Sequence, residues 1–356
     1  MLMVGQDLEC SPPIDIDSVR GCNVMAVAFT ANVEYLFMSG GYNSQVQVWR
    51  VKDGKQMAKL SGWGVNCLTL SKDGRWIAGN GCHKVFVWDA TTYEEVFVVE
   101  VHDVTAVDFS PDSTRLVAGS FTGTVAVWDV ALCKQVLEFF HDDRWLRTAK
   151  YSPQGDQIAT AANHTVQVWD SKHGRLLVKI PVELSTRSVN SLLWFRNHLF
   201  VLTDNKIQEF DASTGSLVSA WPVSDANHFS LITLSQYGEF IAYSTQSTVT
   251  FWDTSTHTQL PLIQHSQGIR SIAHSPDDRF LAIGGEDGKI TINSLSSIIV
   301  SVVFLWCIAH LNELYCTGIQ PHYHPYATLS RNPTSRSTML HSSRGSRNSS
   351  QTRIRY

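Results

Sequence analysis

Apolar and polar positions alternate along most of the chain in short runs. Val104–Ser110 reads VTAVDFS, Ile269–Ser275 reads IRSIAHS and Thr124–Asp129 reads TVAVWD. Period-two alternation, enrichment in β-branched residues and turns rich in Gly, Asn and Asp predict strands rather than helices. The runs come in a fixed order. An alternating strand is followed by a polar turn (PDS, KDG, PQG, QYG or PDD) and then by a small-residue strand such as LVAGS or LAIGG. A tight turn leads into a strand that ends in Trp-Asp. A fourth strand begins about seven residues after the Trp, as in QVLEFF from Gln135, LLVKIP from Leu176 and QLPLIQ from Gln259.

The order repeats. Trp49, Trp88, Trp128, Trp169, Phe210, Trp252 and Asn293 occupy one frame, at intervals of 39 to 42 residues. Asp89, Asp129, Asp170, Asp211 and Asp253 follow directly on five of them, and Arg50 and Ser294 take the same place in the other two. Seven units of about 40 residues, each with four strands, predict an all-β fold: a seven-bladed β-propeller of four-stranded antiparallel blades. The expected boundaries are an N-terminal segment over 1–21, the propeller over 22–306, a short linker over 307–317 and a tail over 318–356.

These residues resemble WD40 repeats of the β-transducin type, from about Cys22 to Phe304. The resemblance implies that the frame aromatics pack between blades. It also implies a hydrogen-bonded tetrad of His, Ser or Thr, Asp and Trp in each blade, and here that set is eroded. His141 and His265 fit the His position, while His102 sits about two residues too close to its strand. The Asp position holds Asn43, Cys82, Thr122, Asn163, Asp204, Gln246 and Asp287. No blade carries the complete set, so packing between sheets is expected to hold the ring.

Two segments compete for the outer strand of the last blade. Val300–Leu305, VSVVFL, has the outer-strand spacing after Asn293. The segment before Cys22 is the alternative, and it is the weaker strand candidate because it carries Pro12 and Pro13. The run Ile298–Ala309 is short of the about 20 apolar residues that a spanning helix needs, and its β-branched content favours a strand over a membrane element.

Charge changes the picture only at the C-terminus. The net charge is −4, but from Gly318 onward there are six Arg and no Lys, Asp or Glu. The rest carries 22 basic against 32 acidic residues, which argues against nucleic-acid binding by the propeller body. The Ser- and Arg-rich tail has few apolar residues and is expected to be disordered. It is read as an extension without function, or else as an arm for phosphorylation or an acidic partner. Seven Cys without a CxxC pair suggest thiols in a reducing compartment, and no secretory signal is apparent. An intracellular protein, cytoplasmic or nuclear, is expected.

Motifs for chemistry are absent: no G-x-S-x-G elbow, Walker loop or H-E-x-x-H helix occurs. Cys82-His83 and His322-Tyr-His324 come nearest to metal-ligand spacing, but the first pair is expected to point apart on a strand. His102-Asp103 and His141-Asp142-Asp143 resemble acid–base pairs, yet both fall where the family places its structural His. No catalytic residue, metal site or cofactor is expected. In the family, ligands often sit on the narrower face, built by residues before the first strand and in the turn before the third. That frame selects Asp103, Trp145 and His228 from the first group, and Tyr42, Phe121 and Glu286 from the second, with Arg144 beside Trp145. Trp145 lies outside the Trp-Asp period. It is either an exposed anchor of the kind found at binding hot spots or a residue packed on its neighbouring blade.

The expected function is a non-enzymatic scaffold that binds a peptide or protein domain on one face, monomeric outside its complexes and without a membrane span. The alternatives are a substrate-recognition subunit of a larger assembly, such as a ubiquitin ligase or a signalling complex, and a propeller-fold enzyme. The last would need clustered acids or His in the central channel.

Overall fold

The computed structural model describes residues 13–17, 22–40, 44–81, 83–182, 189–224, 226 and 230–299. Strand β1 (Ile14–Asp17) comes first, and the blades then follow in chain order. Blade 1 is β2 (Ala26–Phe29), β3 (Tyr35–Ser39), β4 (Gln47–Arg50) and β5 (Lys55–Lys59). Blade 2 is β6 (Cys67–Leu70), β7 (Trp76–Gly81), β8 (Lys84–Asp89) and β9 (Glu95–Glu100). Blade 3 is β10 (Val104–Phe109), β11 (Arg115–Ser120), β12 (Thr124–Asp129) and β13 (Lys134–Phe140). Blade 4 is β14 (Thr148–Tyr151), β15 (Gln157–Ala161), β16 (Thr165–Asp170) and β17 (Leu176–Pro181). Blade 5 is β18 (Ser191–Phe195), β19 (His198–Leu202), β20 (Lys206–Asp211) and β21 (Leu217–Pro222). Blade 6 is β22 (Ile232–Leu234), β23 (Phe240–Ser244), β24 (Thr248–Asp253) and β25 (Ile263–Gln264). Blade 7 is β26 (Ile269–His274), β27 (Phe280–Gly285) and β28 (Lys289–Ser294), completed by β1. The seven four-stranded antiparallel sheets are the propeller that the period predicts.

The frame residues are equivalent in register. Trp49, Trp88, Trp128, Trp169, Phe210, Trp252 and Asn293 each lie opposite an aliphatic residue of the second strand: Leu36, Ile77, Leu116, Ile158, Leu199, Ile241 and Leu281. In blades 1 to 5 the ladder to the outer strand slips at the aromatic, as a bulge. A bulge bends the strand and re-aims its side chain.

The core lies between blades. Each apolar cluster joins consecutive sheets: Trp169 of blade 4 packs with Val125, Val127 and Phe139 of blade 3, at 4.6 Å between ring centroids for Phe139. Trp88 packs into blade 1, Trp128 into blade 2 and Trp49 against Ile16, Ile290 and Ile292 of blade 7. Asn293 leaves the frame position of blade 7 without an aromatic, and Leu295 and Ile298 supply apolar side chains to its interface with blade 6. The tetrad survives in part: Trp169 Nε1 donates to Thr160 Oγ1 at 2.8 Å, whereas Trp88 Nε1 donates to Ser61.

The Asp that follows five of the six frame aromatics has its own task. Its carboxylate accepts backbone N–H groups of the turn that leads to the outer strand. Asp89 takes Thr91 and Thr92, Asp211 takes Ser213 and Thr214, and Asp253 takes Ser255 and Thr256. The Ser213 and Thr214 hydroxyls join in, and the Ser213 hydrogen bond is the leading reason that the Asp211 carboxyl is held down at about 2.

Of the two segments that compete for the closing place, the structure uses the one that reads as the weaker strand candidate. The N-terminal β1 takes the outer place in blade 7, pairing Ile14 with Ile292 through Asp17 with Lys289. The two prolines precede this run rather than interrupting it, so every β1 residue keeps its N–H for the ladder. Ile298 and Ile299 belong to a helical turn over 296–299 and not to a strand. The remainder of the run to Ala309, the Val300–Leu305 candidate, the linker and the tail lie outside the described residues. Among the described residues no helix is long and apolar enough to cross a membrane.

Candidate interaction face

Two kinds of segment meet at one end of the blades: the turns between second and third strands, and the connections from an outer strand to the next blade. Between β11 and β12 the turn presents Phe121, which is 39% exposed. Its N–H donates to Asp103 O (2.8 Å) in the β9–β10 connection. Its carbonyl accepts the Trp145 N–H (2.7 Å) from the β13–β14 connection. Trp145 is 49% exposed and tilts over Phe121, with ring centroids 4.7 Å apart. Its backbone sits at φ +69°, and Asp103 at +55°. Gly123 permits the close approach: at φ +93°, a Cβ there would lie 3.1 Å from the carbonyls of His141 and Asp143.

His141 fixes the loop from beneath. It is buried, and its Nδ1 accepts the Asp143 N–H at 3.0 Å. Burial is the main reason its pKa is pushed below the ordinary imidazole value. Asp142 binds Lys179 (2.7 Å) and Gln167 (2.6 Å), and Asp143 accepts the Thr165 hydroxyl (2.7 Å). The Lys179 hydrogen bond leads in holding the Asp142 carboxyl below its usual range. The His-Asp-Asp run is thereby engaged in shaping a loop, which leaves Arg144 exposed beside Trp145.

A third aromatic was not singled out from the sequence. Trp63, in the β5–β6 connection, is 60% exposed. Its carbonyl lies so close to the end of β7 that a Cβ on Gly81 would stand 2.7 Å away. Trp63, the His83 turn, His102-Asp103, Phe121 and Trp145 therefore follow one another along blades 2 to 4. The sign in the sequence was a Trp outside the period, flanked by Gly62 and Gly64.

Of the predicted residues, Asp103, Phe121, Arg144 and Trp145 come together. Glu286 is in the β27–β28 turn, where it pairs with Arg270 at 2.8 Å and donates its N–H to Gly268 O, within blade 7. Tyr42 and His228 lie outside the described residues.

The inner strands surround a cavity of about 790 Å³. Its lining includes Lys150, Arg147, Cys67 and Asn190, and no Asp, Glu or His among the described residues. Lys150 Nζ is bound to Asp108 at 3.0 Å, and Asp108 also accepts the Tyr151 N–H.

The family model for the N-terminal domain of Nucleolar protein 10-like proteins matches residues 55–205, and that for the WD domain, G-beta repeat, matches 256–292. The chain is 22% identical over 274 residues to the Transcriptional corepressor LEUNIG_HOMOLOG of Arabidopsis thaliana, covering 64% of this chain and 35% of that protein. It is 26% identical over 163 residues to the Angio-associated migratory cell protein of Homo sapiens, covering 44% and 37%. It is 25% identical over 207 residues to the human U3 small nucleolar RNA-associated protein 4 homolog, covering 52% and 30%. The matched regions thus span about a third of these relatives' length. With its seven four-stranded blades, its Trp-Asp period and these matches, the chain belongs to the WD40-repeat β-propeller family.

Proposed function

We propose that this chain is a non-enzymatic protein-interaction platform, and that a partner's peptide or domain docks along Trp63, Phe121 and Trp145. The observation that carries the reading is Trp145 itself. A bulky residue at positive φ costs on the order of 1–3 kcal/mol, and this one gains little burial in return. Exposed aromatics beside an Arg are the side chains that dominate binding energy at interfaces. Arg144 and Asp103 add opposite charges at its edge, which suits a partner segment with one apolar anchor and flanking charges. The relatives named for corepression and for association with a small nucleolar RNA favour work within assemblies.

The test pairs binding with stability. Partners are captured by affinity purification, and Trp145→Ala is then measured against the strongest of them. The expected cost is about 2 kcal/mol or more of binding, with an unchanged melting temperature. Leu132→Ala, an exposed apolar residue in the β12–β13 turn at the opposite end of the blades, serves as the control. Early unfolding of Trp145→Ala, or full retention of every partner, defeats the assignment.

The match to the Nucleolar protein 10-like model favours a second, finer reading: a subunit of a nucleolar assembly. Fluorescent tagging and co-sedimentation with nucleolar particles test it. Exclusion of the tagged chain from the nucleus would rule it out.

A further inference from the structure

Two histidines on the same face belong neither to the core nor to the aromatic contacts. His83 sits in the β7–β8 turn at φ +61°, a conformation in which His is enriched over most residues. Its carbonyl accepts the Val101 N–H (3.1 Å), which draws the β9–β10 connection alongside. As a result Nδ1 of His83 and Nδ1 of His102 lie 3.3 Å apart, with ring centroids 5.1 Å apart and planes at 58°. Both side chains are exposed.

We propose that His83 and His102 form a two-histidine site for a divalent transition metal of the zinc or copper kind. Zinc–imidazole bonds are about 2.0–2.1 Å long, so two ligands on one tetrahedral ion stand about 3.3–3.4 Å apart. The two Nδ1 atoms already have that separation. Imidazole suits Zn²⁺, Cu²⁺ and Ni²⁺, whereas Mg²⁺ and Ca²⁺ take oxygen ligands. The backbone bond between the two segments sets the spacing in advance, so binding costs little ordering. A bridging proton can also join two neutral imidazoles at this distance, and the metal would take its place after small rotations of two exposed rings. Lys84, the neighbouring cation, lies across the ladder from Glu100, which offsets its repulsion. The remaining coordination positions face solvent, open to water or to a side chain of a docked partner.

The experiment is zinc uptake by the full chain in competition with a chromophoric chelator, in excess Mg²⁺. His83→Asn keeps a residue that tolerates positive φ, and His102→Gln keeps a polar group. The expected result is one equivalent of Zn²⁺ bound by the wild type. Each variant should weaken it by at least about tenfold, the lower end of what disturbing even the outer shell of a metal site costs. No uptake by the wild type, or equal uptake by both variants, overturns the proposal. If a variant misfolds, Cu²⁺ electron paramagnetic resonance on the wild-type chain decides. Two nitrogen donors support the site, and oxygen-only coordination overturns it.

Discussion

Trp145 and His141 occupy one loop and divide its work. The Trp faces solvent, and the His beneath it holds the backbone with a neutral ring nitrogen. Protonating His141 would deprive the Asp143 N–H of its acceptor, turn the ring nitrogen toward the Asp143 carbonyl at 3.2 Å and place a charge in a buried site. Its pKa is depressed in the folded protein, so the unfolded chain binds the proton first. The stability it confers is complete above about pH 6.5, the ordinary imidazole value, and is lost as pH falls through the lower, folded one. Melting temperature should therefore decline as pH falls below about 6.5, and His141→Gln should flatten this part of the profile. An identical profile for the variant would refute the role. At this scale the sequence was only partly legible. Trp145 stood out because the repeat frame does not call for it, and Trp63 carried the same mark. Exposure depends on where a connection settles on its neighbouring turn, which period counting does not reveal. His83 and His102 lie 19 positions apart, and the nearer sequence partner of His83, Cys82, drew attention instead.

Within a blade the recurring units are a third-strand aromatic, wedged against the preceding sheet, and an Asp that ties the following turn. Removing Trp169 should cost about 3–5 kcal/mol, because Trp169→Ala opens a cavity between blades 3 and 4 and frees the Thr160 hydroxyl. Urea unfolding measures this, and a loss under about 1 kcal/mol would contradict interblade packing. Asp253 is buried, and its carboxylate accepts two backbone N–H groups and two hydroxyls. Asp253→Ala should cost about 1–3 kcal/mol in the same assay, and a neutral result would show that water replaces those bonds. Asp211 adds a pH effect of the opposite charge type. Its folded pKa of about 2 lies below the unfolded value, so its support is complete above about pH 4 and is lost on acidification toward 2. These features were legible because alternation and spacing are local. The closing strand was not, since Ile14–Asp17 is short and gains its place only from the β28 edge it covers.

At the level of the whole ring, closure depends on β1. Removing residues 1–17 should expose the hydrogen-bonding edge of β28 and uncover Ile290 and Ile292, which Ile16 helps to bury. Such an edge pairs readily with other chains, so the truncated protein should melt earlier and self-associate in sedimentation. An unchanged monomer would mean that another segment fills the place. Deleting residues 318–356 should leave the melting temperature unchanged, since all seven described sheets are complete by Ser294. The same clasp has a consequence for synthesis. Asp15 and Thr291 are hydrogen-bonded yet 276 positions apart. A strand that leaves the ribosome ahead of every blade must stay available while six blades form and stack behind it. A ribosome stalled before residue 289 would therefore hold a stack of blades open at both ends and an unmatched first strand, a nascent state suited to chaperone capture or to premature pairing with a neighbour.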